Sequence, residues 1–193
     1  MALEEQDKLV EVMLRESRKE ETEKDEDDAE GGARKLELQH SALVCVGLSW
    51  PENKDTAETF LPTVLDQLEI LATNTTRRNQ LALIKCLGNI LKVWTVSEEQ
   101  YSVLVFTKLA AVISSLLQIP KYVQLRTETL QVLAQSVKLL TGAAKPQLVE
   151  TFRSEVLSSL DGVIKDLGSD PATKTTARDL KTALKSLQGG DEN

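Results

Sequence analysis

Hydrophobic residues recur at helical spacing along most of the chain. From residue 36 onward, apolar side chains return every three or four positions in blocks of about 15–20 residues. Short polar breaks such as "SWPENKD", "TNTT" and "GSDP" separate the blocks, and we expect all five prolines to lie in such breaks. The pattern predicts seven helices, over 36–49, 56–73, 77–94, 98–118, 121–140, 146–167 and 172–187.

The ends of these blocks carry further signals. Ser97 is predicted to cap the fourth helix, with Glu98 and Glu99 complementing its dipole, Pro120 to end it, and Gly142 to cap the end of the fifth. Aromatic residues make up only 4% of the chain, and no block shows the β-branched, alternating pattern of a strand. The predicted fold class is therefore all-α.

The N-terminal part of the chain differs from the rest. Residues 1–18 predict a charged helix that places Leu9, Val10, Met13 and Leu14 on one face, and residues 19–34 predict an acidic disordered linker. That linker could instead recruit a basic partner. A helical-repeat domain is predicted over 35–188, followed by a disordered tail at 189–193.

A pattern around the two cysteines indicates a repeat. Cys45 is followed two positions later by Gly47 and Cys86 by Gly88, 41 residues further along, and Val132-Leu133-Ala134 falls in the same frame. Helix pairs recurring every 40–47 residues are typical of HEAT and armadillo arrays. We therefore predict an α-solenoid of about seven helices in stacked antiparallel pairs, with a compact bundle as the alternative. The small residue would allow neighbouring helices to approach closely.

Candidate chemistry is sparse. The chain has no phosphate-binding, nucleotide-binding, zinc-protease or serine-hydrolase motif, so it predicts no catalytic, cofactor-binding or metal site and no small-molecule substrate. His40 is the single histidine, and a surface or capping role fits it better than catalysis. Cys45 and Cys86 fit small buried hydrophobic residues better than reactive thiols. A helical enzyme whose site carries no known motif is the alternative.

Charge and hydropathy limit the kinds of partner and compartment that the sequence predicts. The net charge is −7, and the acidic excess lies in the first 35 residues, so no basic surface for nucleic acid is predicted. The first residues lack the uninterrupted apolar run that predicts a signal peptide, and no apolar run is long enough to predict direct membrane insertion. Two cysteines suggest a reducing compartment, so we expect a soluble cytoplasmic protein in which the glycosylation match at Asn74 is a coincidence.

Three residues are candidates for contacts between repeats. Trp50 and Trp94 end their predicted helices and are expected to pack between repeats, with an exposed recognition role as the alternative. Arg126 lies where HEAT arrays often carry a basic residue that bonds a neighbouring unit, although a plain exposed arginine fits the sequence equally well. The binding residues stay unknown at this level.

Several stretches together resemble one family. "LELQHSALVCVGLSWPENKDTAE", "RRNQLALIKCLGNIL", "LKTALKSL" and above all "KYVQLRTETLQVLAQSVKLL" are similar to the C-terminal region of the proteasome adaptor and scaffold protein family. The resemblance covers roughly 36–188. Family members are large HEAT-repeat proteins many times longer than this chain, which implies a C-terminal piece whose first body helix exposes an apolar face.

The resemblance also implies a function. It predicts a non-enzymatic adaptor or scaffold that binds proteasome subunits and supports proteasome assembly. It would link the proteasome to the endoplasmic reticulum or endosomes, with presence in the nucleus as well as the cytoplasm. The alternative is a HEAT or armadillo module of another system, such as a transport receptor or a kinase scaffold.

Overall fold

The computed structural model describes residues 29–50, 54–93, 99–143 and 146–187. These residues form seven helices joined by short connections, and the described part of the chain contains no strand, which confirms the all-α prediction. The helices are α1 (Ala29–Leu48), α2 (Lys54–Thr73), α3 (Arg77–Val93), α4 (Glu99–Leu117), α5 (Val123–Ala143), α6 (Pro146–Lys165) and α7 (Pro171–Ser186).

The first helix begins earlier than the apolar pattern predicts. α1 starts at Ala29, so residues 29–34 are helical and do not belong to a disordered linker. Once a helix exists, each further residue adds a hydrogen bond without a new nucleation step, which extends α1 through two glycines. As a result His40 lies in the middle of α1 and cannot cap its start. The predicted helix over 1–18, the linker over 19–28 and the tail at 189–193 lie outside the described residues.

Two other local predictions are wrong. Pro62 lies inside α2 and not in a break. An interior proline costs a helix about 3 kcal/mol, but it is flanked by fully buried leucines and valines that each contribute roughly 1.5–3 kcal/mol. These are Leu61, Val64, Leu65 and Leu68. Gly142 does not cap α5, because α5 continues to Ala143.

The end of α4 follows the prediction. The helix stops at Leu117, before Pro120, and Lys121 takes a left-handed backbone conformation with φ of 60°. The predicted cap Ser97, together with Glu98 and Trp94, lies outside the described residues.

The chain forms two compact units, Met1–Val93 and Trp94–Asn193. In the first unit, α1 packs along α3, and α2 also contacts α3. Glu37 on α1 forms an ion pair with Arg78 on α3, and ten residues later Gly47 lies against Cys86. Because the contacts advance in the same direction along both helices, α1 and α3 run parallel.

The second unit repeats this arrangement. α4 packs along α6, α5 packs along α7, and α4–α5 and α6–α7 are also in contact. The rings of Phe106 and Phe152 meet edge to face with centroids 5.8 Å apart. Ser114 donates a hydrogen bond of 2.9 Å to the carbonyl of Glu155, so α4 and α6 are held together by polar as well as apolar contacts.

The predicted close approach at the small residue is confirmed at Gly47. A Cβ placed there would lie 2.7 Å from the Cα of Cys86, so α1 and α3 fit together only without a side chain at this position. Cys86 and Val132 are buried as predicted, whereas Cys45 is only half-buried. The reason is that, of the described helices, only α3 packs extensively on α1.

Candidate interaction surface

Arg126 on α5 is the most deeply buried described cation, with only 4% of its surface exposed. Its guanidinium donates to the carboxylate of Asp166 and, at 2.7 Å, to the hydroxyl of Ser169, both in the loop that precedes α7. These bonds join Arg126 to residues that lie 40 and 43 positions further along the chain. Arg126 therefore bonds the loop between α6 and α7, and the exposed alternative is wrong.

The loop between α6 and α7 is held by several hydrogen bonds. The backbone N–H of Gly168 donates to Asp166 at 2.9 Å, and this bond, followed by the Arg126 guanidinium, lowers the pKa of Asp166 below its ordinary value. Leu167, between these two residues, is 96% exposed. The loop therefore holds a single large apolar side chain out into solvent.

The start of α7 is capped by Asp170. Its carboxylate accepts hydrogen bonds from the side chain of Thr173 and, at 2.9 Å, from the Thr173 backbone N–H, and Pro171 occupies the first turn. These bonds, the side-chain one first, lower the pKa of Asp170. The "GSDP" break therefore contains the N-cap of α7.

A buried polar cluster joins α1 to the start of α3. The amide of Asn79 donates to the carbonyl of Leu36 at 3.0 Å and to the side-chain oxygen of Gln39 at 3.4 Å, and Thr75 also donates to Gln39 at 3.2 Å. Thr76 accepts from the backbone N–H of Asn79 and so caps α3. The apolar pattern does not predict this cluster; the signal for it in the sequence is a Thr followed three positions later by a polar residue at the helix start.

A groove of about 300 Å³ lies between α1 and α3, and we name it the α1–α3 groove. Its floor and walls are mainly apolar, and its charged lining residues, Arg78 and Lys85, are both cations. The lining is His40, Leu43, Val44, Gly47, Leu48, Arg78, Leu81, Ala82, Lys85, Cys86 and Asn89. Leu48 is 75% exposed at one end of the groove, so an apolar strip of α1 faces solvent.

A second groove of about 300 Å³ lies between α5 and α7, and we name it the α5–α7 groove. Its charged lining residue is Asp170, and three of its eight lining residues are threonines. The lining is Val123, Thr127, Leu130, Gln131, Asp170, Ala172, Thr173 and Thr176. The two grooves therefore have similar sizes but opposite charge, one apolar with a basic edge and the other hydroxyl-rich and acidic.

The candidate reactive residues of the sequence are Cys45, Cys86 and His40. Burial raises the pKa of the Cys86 thiol to about 12, which keeps it protonated at neutral pH. Cys45 is half-buried and neither cysteine is in a disulfide. His40 is half-buried at the α1–α3 groove, and its Nδ1 has no hydrogen-bond partner. In the described ranges, His, Cys, Asp and Glu form no group of three that could hold a metal ion.

Of the two tryptophans, the structure describes only Trp50, which is half-buried immediately after α1. Trp94 lies outside the described residues. None of the helices that the structure describes combines the length and apolar character that a membrane crossing requires.

Comparisons with protein-family models, curated proteins and solved structures find no match to this chain. The arrangement of its own residues therefore carries the functional argument.

Proposed function

We propose that this chain is a non-enzymatic adaptor or scaffold module built as a HEAT-like α-solenoid. The observation that carries the proposal is the packing of alternate helices against each other, with several polar contacts at the same separation along the sequence. Glu37 contacts Arg78, Ser114 contacts Glu155, and Gln118 contacts Ser159, each pair 41 residues apart. Contacts between helix n and helix n+2 at a fixed separation are expected of stacked helix pairs.

The separation matches the spacing of the two Cys-x-Gly stretches. Cys45 and Cys86 are also 41 residues apart, and the contact between Gly47 and Cys86 falls on the same pair of helices. A repeat that is visible in the sequence and again in the packing of each unit supports a stacked-pair architecture. Proteins of this architecture act by presenting an extended surface to partners.

The partner we propose is the proteasome. The support is the resemblance of the "KYVQLRTETLQVLAQSVKLL" stretch to the proteasome adaptor and scaffold protein family. In this proposal the chain binds proteasome subunits, supports their assembly, and links them to the endoplasmic reticulum or endosomes from the cytoplasmic side. Surface complementarity, not chemistry, is the mechanism.

Affinity capture with the full chain tests the proposal. A tagged chain is expected to recover 20S and 19S subunits from cell extract, and to bind purified proteasomes directly. Leu87→Asp places a charge at a fully buried position and serves as the unfolded control, which should recover none. Enrichment of a transport or kinase complex, with proteasome subunits at the level of the control, would favour the alternative repeat module and exclude this partner.

A further inference from the structure

An apolar strip on α1 lies uncovered by the residues that the structure describes. Leu36, His40, Val44 and Leu48 follow one another at intervals of four, which places them along one side of the helix. Val44 is 40% exposed and Leu48 75% exposed, and both line the α1–α3 groove. A contiguous apolar strip of this kind is typical of a surface that receives another apolar face.

The groove has a basic edge along α3. Arg78, Lys85 and Lys92 are separated by seven residues each, so they share one side of the helix, and all three are exposed. Lys92 donates to Asn89, which lines the groove, at 2.9 Å. Glu37 pairs with Arg78 at one end, and no acidic residue lines the groove itself. The edge therefore favours an acidic occupant.

The same chain contains a segment with the complementary character. Leu9, Val10, Met13 and Leu14 occupy positions i, i+1, i+4 and i+5, which form one apolar face if residues 4–18 are helical. Residues 4–18 themselves carry five acidic and three basic side chains. An apolar face flanked by acid would match an apolar groove flanked by cations.

The chain between this segment and α1 is long enough. Residues 19–28 provide ten residues, which reach roughly 33 Å when extended. Val44 lies 15 residues after the start of α1, or about 22 Å along the helix axis. The segment can therefore reach the groove of its own chain without strain.

We propose that residues 4–18 dock as an amphipathic helix in the α1–α3 groove of the same chain. The apolar face covers Val44 and Leu48, and the acidic side chains lie along Lys85 and Lys92. This inference goes beyond the proposed function and does not depend on the identity of a partner. A partner that uses the same groove would have to displace the segment first.

A spin label at position 13 tests the proposal in the full chain. Met13→Cys in a Cys45→Ser background leaves the buried Cys86 as the only other thiol, and its raised pKa protects it from labelling. The measurement is the loss of amide signal near the label in ¹⁵N spectra. Signals of Val44, Leu48 and Lys85 are expected to disappear, while those of Thr127 and Thr176 in the α5–α7 groove keep their intensity.

Surface substitutions separate specific docking from chance proximity. Leu48→Glu and, independently, Lys85→Glu change exposed positions, so both variants should fold and should restore the lost signals. Val123→Glu, at an exposed position in the α5–α7 groove, is the matched control and should restore nothing.

Three results would overturn the proposal. The α1–α3 signals could keep full intensity, or both grooves could lose signal equally. In a mixture of labelled ¹⁴N chain and unlabelled ¹⁵N chain, signal loss as strong as within one chain would assign the groove to a second copy.

Discussion

Gly47→Ala is expected to destabilise the first unit, although alanine favours helices. The added Cβ would lie 2.7 Å from the Cα of Cys86, 3.2 Å from its Cβ and 3.4 Å from its Sγ. The nearest atom is backbone, so the contact is relieved only by moving α1 away from α3. Overpacking of this kind costs about 1–3 kcal/mol, whereas the gain in helix propensity is at most about 1 kcal/mol.

Gly162→Ala on α6 is the matched control. A Cβ there would meet nothing within 4 Å, so only the propensity gain remains and the variant should be stabilised by up to about 1 kcal/mol. The two substitutions are chemically identical and lie inside helices, yet they should change stability in opposite directions.

Hydrogen exchange read by mass spectrometry is the appropriate assay, because it reports on each unit separately. In Gly47→Ala, peptides from α1 and α3 should exchange faster, and in Gly162→Ala those from α6 should exchange more slowly. Adding Cys86→Ala to Gly47→Ala should not restore protection, since the Cα at 2.7 Å remains. The close approach would be refuted if Gly47→Ala slowed exchange in α1 and α3, as Gly162→Ala is expected to do in α6.

Three further predictions concern Arg126, the cysteines and pH. Arg126→Met should lower the free energy of unfolding by about 2 kcal/mol in chemical denaturation, because charge-assisted bonds are lost. Arg126→Lys should recover only part of that free energy, and an Arg126→Met variant as stable as the original chain would contradict the bonding. In the native protein Cys45 should react with iodoacetamide long before Cys86, as mass spectrometry will show, and equal rates would contradict the burial of Cys86. Gly168 and Arg126 lower the pKa of Asp166 in the folded state. The stabilising effect of Asp166 is therefore complete above about pH 4 and is lost as pH falls through the lowered pKa. Thermal melts of Asp166→Asn should show a Tm that depends less on pH over that range, and an unchanged dependence of Tm on pH would argue against it.

The sequence located helices better than their ends. Six of the seven start within a few residues of the predicted positions because the periodic apolar pattern is itself what packs. α1 begins at Ala29 and α5 passes through Gly142, since an interior glycine costs a helix only about 1 kcal/mol. Pro62 was assigned to a break, but the buried leucines on both sides hold α2 together around it.

The candidate surface was much less predictable. The sequence leaves open whether Arg126 bonds another part of the chain or is exposed, and it does not indicate Asp166 and Ser169 as acceptors. Partners 40 and 43 residues away depend on how the α6–α7 loop folds. The α1–α3 groove and its basic edge are likewise visible only once α3 is laid beside α1 in the correct register.

By itself, the sequence determined the all-α class, the positions of the helices, the 41-residue spacing of the two Cys-x-Gly stretches and, at Gly47, a place where helices approach closely. Each of these depends on periodicity or residue size, which are local properties. Only the tertiary structure decided that Gly47 meets Cys86, that Cys86 is buried while Cys45 is half-buried, and that one groove is basic and the other acidic. Those features depend on the register between helices distant in the chain, and burial is a property of the packed pair and not of either helix alone.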